Sequence, residues 1–152
     1  MAKAPNPTPP EGALISRAIH TVAFYETDAM GVVHHSNYVR FLEDARVVFL
    51  AEHDRPYESI VGDGFHVPVT RVAVAYKWPC RFADRVEVSC WLSWARHASF
   101  GFAYSLRVGE KVVSLAETDH AIVDLEGRPV RIPEPMRLRM QGWRGTAGQG
   151  QP

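Results

Sequence analysis

The chain has 152 residues, 46% of them hydrophobic and 22% charged, enough apolar material for one domain with its own core. Its 17 basic and 17 acidic side chains cancel, which excludes a broad field drawing in nucleic acid or an acidic membrane. No run approaches the roughly 18 apolar residues of a membrane-spanning helix. The first residues lack the apolar stretch of a secretory signal, so the expected location is the cytoplasm, with no stable membrane insertion. Cys80 and Cys90 have neither zinc-site spacing nor the density of a disulfide framework and read as reduced, packed thiols.

Residues 1–13 carry Pro5, Pro7, Pro9 and Pro10 and almost nothing apolar, which predicts a disordered Pro-rich tail. The domain is expected over 14–141, with a flexible C-terminal tail over 142–152. Alternation of His20, Val22 and Phe24 against Thr21 and Ala23 predicts a first strand over 18–25. After it, Tyr38, Phe41, Leu42, Ala45, Val48, Phe49 and Glu52 recur at three- and four-residue steps. That period predicts a helix from Asn37 to about Ala51, about 20 Å long, with the Asn37 side-chain oxygen capping its start. A connector over 55–64 leads to a second strand over 67–76, and Pro79 forces an irregular link over 78–83. Strands follow over 85–94, 100–108 and 112–124, turned at Gly109 and Gly127, and a last one over 130–132. A helix followed by a run of antiparallel strands argues for an α+β fold, one long helix lying across a curved sheet of about five strands.

The most informative string lies between the first strand and the helix: Tyr25-Glu-Thr-Asp28-Ala-Met-Gly31-Val-Val-His34-His35-Ser-Asn37-Tyr38. Gly31 permits a sharp turn three residues after an acid. The unpaired N–H groups and positive dipole end of a helix start stabilise an oxygen gaining charge, so a carbonyl placed there would be polarised. A carboxylate on the same loop can activate water or attack the carbonyl carbon itself. Taken alone, Asp-x-x-Gly reads more simply as an Asx turn, so the longer string has to carry the chemistry. His34 and His35 lack the ligand spacing of a metal site, and no metal or redox cofactor is expected.

Tyr25-x-x-Thr-Asp28-Ala-x-Gly31-Val-Val33-x-His35-x-Asn37-Tyr38, followed by Phe41-Leu-Glu43-Asp-Ala45-Arg46, resembles the hot-dog-fold acyl-CoA thioesterases of the 4-hydroxybenzoyl-CoA thioesterase type. It is most similar to the bacterial branch whose gene accompanies the Tol-Pal envelope system. The likeness runs from about Ser16 to about Met140. It implies a hot-dog fold and hydrolysis of an acyl thioester to free acid and coenzyme A. It further implies Asp28 as the catalytic carboxylate and the backbone N–H of His35 as the group that binds the thioester oxygen. Tyr25, Gly31, Val33, His34 and Tyr38 would line the substrate, with Ser99 near the pantetheine arm. The resemblance also implies a homodimer or homotetramer with sites at the subunit boundary, acting on acyl-CoA or on an acyl-carrier protein. Two positions depart from the pattern: Glu26 stands where a second aspartate is common, and His34 where a tyrosine is. Glu43 is the local counterpart of a sister branch's catalytic glutamate on the helix, discounted because the Asp28 loop is intact.

Two other functions fit the same fold. One is a non-catalytic protein that binds acyl-CoA or acyl-carrier-protein thioesters, or acts as an envelope interaction module. The other is a dehydratase or hydratase of 3-hydroxyacyl thioesters, against which the Asp28 string argues. Arg71, Lys77, Arg81, Arg128 and Arg131 are candidates for a rim that holds coenzyme A phosphates.

Overall fold

The computed structural model describes residues 3–148. Five antiparallel strands form the main sheet, β1 (Ser16–Thr21), β3 (Val69–Tyr76), β4 (Arg85–Ala95), β5 (Ser99–Val108) and β6 (Lys111–Ala121), in the spatial order β1-β4-β5-β6-β3. β2 (Phe65–His66) and β7 (Val123–Asp124) make a separate two-stranded ribbon. The central helix, α1 (Asn37–His53), is 17 residues long, about 26 Å at 1.5 Å per residue. Its buried residues Tyr38, Phe41, Leu42, Ala45, Phe49 and Leu50 follow the stripe that the sequence predicts, and they meet the inward faces of β4, β5 and β6 in one core. This is the expected α+β arrangement, one long helix on a five-stranded antiparallel sheet.

Several expectations are corrected. The first strand spans Ser16–Thr21 rather than 18–25, because Phe24–Glu26 closes into a 3-10 turn. The 55–64 connector contains a short helix, α2 (Tyr57–Gly62). The strand expected over 112–124 breaks at Ile122 into β6 and β7. Residues 130–132 form no strand: Val130 N donates to Ile122 O and Ile132 N to His97 O, which leads the chain into α3 (Glu134–Trp143). Pro135 in its first turn suits a helix start, and Met136, Met140 and Trp143 fall on one buried face.

That helix ties both ends of the chain to the body. The Trp143 ring lies 5.3 Å from that of Phe49 on α1, and Arg139 pairs with the buried Asp54 carboxylate. Leu14 N donates to Trp143 O, and Thr146 N to Glu11 O. The tail expected over 142–152 begins inside α3, and its last residues, 149–152, lie outside the described residues. No helix among the described residues is long and apolar enough to cross a membrane.

Candidate active site

The loop between β1 and α1 is built on the backbone of Glu26 and the turn after Asp28. Glu26 O accepts two hydrogen bonds, from His34 N at 2.9 Å and from Asn37 Nδ2 at 2.8 Å. Both ends of the loop are thus held by one carbonyl. The Glu26 side chain is buried, where its carboxylate accepts from Ala23 N and meets His20 Nε2, each at 2.8 Å. Burial alone would raise its pKa, but these bonds together with the charges on His20 and Arg40 hold the carboxyl below its usual value.

Asp28 then closes a turn. Its N donates to Val32 O, its O accepts from Gly31 N, both at 2.9 Å, and Oδ1 accepts from Met30 N at 2.8 Å. Gly31 takes φ 74°, which a β-carbon would strain. The Asx turn is therefore real and also useful: it fixes Oδ1 and leaves Oδ2 without a hydrogen-bond partner among the described residues.

The start of α1 is open. Asn37 is its first residue rather than its cap, and no side chain caps the preceding Ser36 position. Ser36 Oγ instead lies 2.7 Å from His34 Nδ1. His35 N has no acceptor among the described residues. The carbonyl of the same residue is clamped by Tyr76 OH at 2.9 Å, and Val33 N donates to Cys80 O at 2.8 Å. The loop is thereby pinned to the end of β3 and the link after it. Burial raises the pKa of Tyr38, Tyr76 and Cys80, so these act as neutral walls and Cys80 makes a poor nucleophile.

A cavity of about 290 Å³ opens here. It brings together four of the sequence-predicted residues, Asp28, Val33, His35 and Tyr38. Gly31 forms the turn beside it. His34 faces away toward Ser36, although its ring lies 4.1 Å from that of His35. Tyr25 is 83% exposed and lines a neighbouring cleft with His20 and Arg40. Ser99 pairs with Ala121 at one end of the sheet, whereas Tyr76 pairs with Ser114, itself opposite Leu106. Seven residues of β5 thus separate the two levels, about 23 Å. The sequence reading missed Tyr76 and Pro79 as walls of this cavity, and it weighed Trp78 as a pocket residue but favoured the core, whereas Trp78 lines the cavity and is exposed; the Trp-Pro pair ending a strand was the available signal. Lys77, named beforehand as a phosphate candidate, sits at the same mouth. Arg71 instead lies beside Glu117 and Asp119, and Arg128 beside Asp124.

The arrangement can do two things: place a carboxylate against a bound carbonyl carbon, and polarise the carbonyl oxygen at the uncapped helix start. Residues 22–140 match the Thioesterase-like superfamily. A putative esterase of Aquifex aeolicus is 38% identical over 113 residues, 74% of this chain and 88% of that protein. The acyl-CoA thioester hydrolase YbgC of Escherichia coli O6:H1 is 30% identical over 115 residues, 74% of this chain and 86% of that protein. The crystal structure of a hypothetical protein from Thermus thermophilus superposes with a TM-score of 0.79 at 32% identity, covering 84% of this chain and 95% of that one. The chain belongs to the Thioesterase-like superfamily, and its fold is the hot-dog fold.

Proposed function

We propose that this thioester hydrolase of the Thioesterase-like superfamily cleaves an acyl-CoA to free acid and coenzyme A, with Asp28 as the catalytic carboxylate. The observation that carries the reading is that Asp28 and the uncapped start of α1 open on one cavity. The thioester oxygen would sit on the His35 N–H. As general base, Asp28 takes a proton from water while the hydroxide oxygen bonds to the carbonyl carbon; the C–S bond then breaks and thiolate leaves. As nucleophile, its carboxylate oxygen forms a mixed anhydride, expels the thiolate, and water hydrolyses the anhydride. Within the superfamily we place the chain in the 4-hydroxybenzoyl-CoA thioesterase type, Tol-Pal-associated branch, on the strength of the Tyr25–Tyr38 string.

The cavity mouth supports coenzyme A as the carrier. Met30, Tyr76 and Trp78 are exposed there and suit a pantetheine arm, with Lys77 for a phosphate. β3 lies at the edge of the sheet, with Val69, Val72 and Tyr76 exposed, and a bare edge invites pairing. We place a homodimer on this edge. Antiparallel pairing of two β3 strands sets the Tyr76 end of one against the Val69 end of the other. That carries the Ser99 end of one chain toward the Asp28 loop of its partner, which is how Ser99 would reach substrate.

The test is thiol release from short, long and aromatic acyl-CoAs by the wild type and Asp28→Asn. A loss of roughly 100- to 10,000-fold is expected in the variant, with folding retained. A wild-type rate in Asp28→Asn would sink the assignment. Tight binding of acyl-CoA without thiol release would favour the non-catalytic binder, and hydration of an enoyl-CoA the hydratase.

A further inference from the structure

A second cavity, half-open and about 210 Å³, lies farther along α1. Val47, Leu50, Val69 and Phe102 give it apolar walls, His120 and Tyr57 add polar groups, and Glu43 and Arg46 stand on its helix side. His120 is 1% exposed. Its Nε2 lies 2.8 Å from Thr118 Oγ1, Thr118 Oγ1 lies 2.7 Å from Tyr104 OH, and Tyr104 OH accepts from Arg46 Nη1 at 3.4 Å. Nδ1 is buried without a hydrogen-bond partner among the described residues.

A guanidinium can only donate, so the Tyr104 oxygen accepts from Arg46. Its own proton is then suited to Thr118 Oγ1, and that of Thr118 to Nε2. Burial, with the Arg46 charge, pushes the His120 pKa down to about 3, so the ring is neutral. A neutral imidazole that accepts at Nε2 carries its one proton on Nδ1. The nearby Val67 carbonyl favours that proton but accepts no hydrogen bond of normal geometry from it. The cavity is thus left with a buried imidazole N–H that has no partner among the described residues, and buried donors are nearly always satisfied.

Both cavities take walls from α1 and β3: Tyr38 and Tyr76 in one, Val47 and Val69 in the other. Nine residues of helix separate Tyr38 from Val47, about 14 Å. A dry cavity of about 150 Å³ already holds benzene, so this one has room for a ring or a short branched or straight segment of chain. We propose that this cavity receives the far end of the acyl group, and that the His120 Nδ1–H reads an oxygen, keto or hydroxyl, carried on that otherwise apolar group. The inference rests on the thioesterase reading above and assigns its substrate class. His120 acts on specificity, and Arg46, Tyr104 and Thr118 act through it by fixing the tautomer.

The experiment compares three acyl-CoAs of one chain length: unsubstituted, oxo-bearing and hydroxy-bearing near the far end. The wild type is expected to show a kcat/KM about two- to tenfold higher for an oxygenated substrate than for the unsubstituted one, the range one hydrogen bond supplies. His120→Phe should abolish that preference, and His120→Asn, whose amide can present an N–H near the Nδ1 position, should restore part of it. A second readout needs no variant. The wild-type His120 Nδ1–H is followed by nitrogen-proton NMR while the three free acids are titrated in, and it should shift with the oxygenated acids and not with the third. Hydrolysis without oxygen preference and without an Nδ1 shift would overturn the proposal, leave the thioesterase standing and assign the N–H to a buried water. No hydrolysis of any substrate together with an oxygen-dependent Nδ1 shift would sink the thioesterase reading and uphold the cavity's selectivity.

Discussion

The Tyr76 hydroxyl donates to the His35 carbonyl at 2.9 Å, so the last residue of an edge strand holds the peptide next to the N–H that opens onto the cavity. The two residues are 41 positions apart, and the bond is what couples the sheet to the helix start. Tyr76→Phe keeps the ring, which meets Tyr38 edge-on at 5.0 Å, and removes only the clamp. A neutral hydrogen bond contributes about 0.5–1.5 kcal/mol. A fall in kcat of up to about tenfold, with a small change in Tm, is the expected outcome of steady-state assays on this variant.

Gly31 sits at φ 74° with no atom within 4 Å of where a β-carbon would stand. Gly31→Ala therefore meets backbone strain and no clash, about 1–2 kcal/mol. Relief of that strain would open the turn that fixes Asp28. The variant is expected to lose activity out of proportion to its stability, measured as kcat/KM beside thermal unfolding; unchanged activity would show that the turn does not position the carboxylate.

Acid should weaken the fold in two stages. His120 has a folded pKa of about 3 against an ordinary 6.5, so below pH 6.5 the unfolded chain binds a proton that the folded one refuses. Stability is lost as pH falls from about 6.5 toward about 3, by up to about 1.4 kcal/mol per pH unit. Glu26 is held below its ordinary 4.5, so its contribution is present above that value and lost as pH falls through the lower folded one. Urea unfolding from pH 7 to pH 3 should show both stages, the upper one missing in His120→Asn and the lower one in Glu26→Gln.

Gly101 lies beneath the Trp94 indole, where an added β-carbon would fall 2.1 Å from Nε1. Arg96 lies over the same ring, its guanidinium carbon 5.3 Å from the Trp94 ring centre. Gly101→Ala must displace the indole, and overpacking of this kind costs about 1–3 kcal/mol. A lower Tm with altered tryptophan fluorescence is expected, while the Asp28 chemistry, built on a different part of the fold, should persist.

Local pattern was enough for the elements whose own residues carry their reason. The stripe Tyr38, Phe41, Leu42, Ala45, Phe49 needs a helix because only that period puts all five on one buried face. The Gly109 turn and the break at Pro79 are likewise written in residues that limit the backbone. Helix α3 was missed because Met136, Met140 and Trp143 mark a face only once Phe49 and the rest of the core are there to receive it.

The site divides in the same way. Asp28, Gly31, His35 and Tyr38 are close in the chain, so a turn and a helix start were bound to bring an acid near free N–H groups, and the sequence alone determined that placement. Tyr76 and Trp78 reach the same cavity only through the pairing of β3 with β6. The hydrogen-bonded chain from Arg46 to His120 likewise depends on four side chains drawn from α1, β5 and β6. Contacts of that length are settled by how the helix packs on the sheet, because no local spacing records which distant side chain will face an unpaired group.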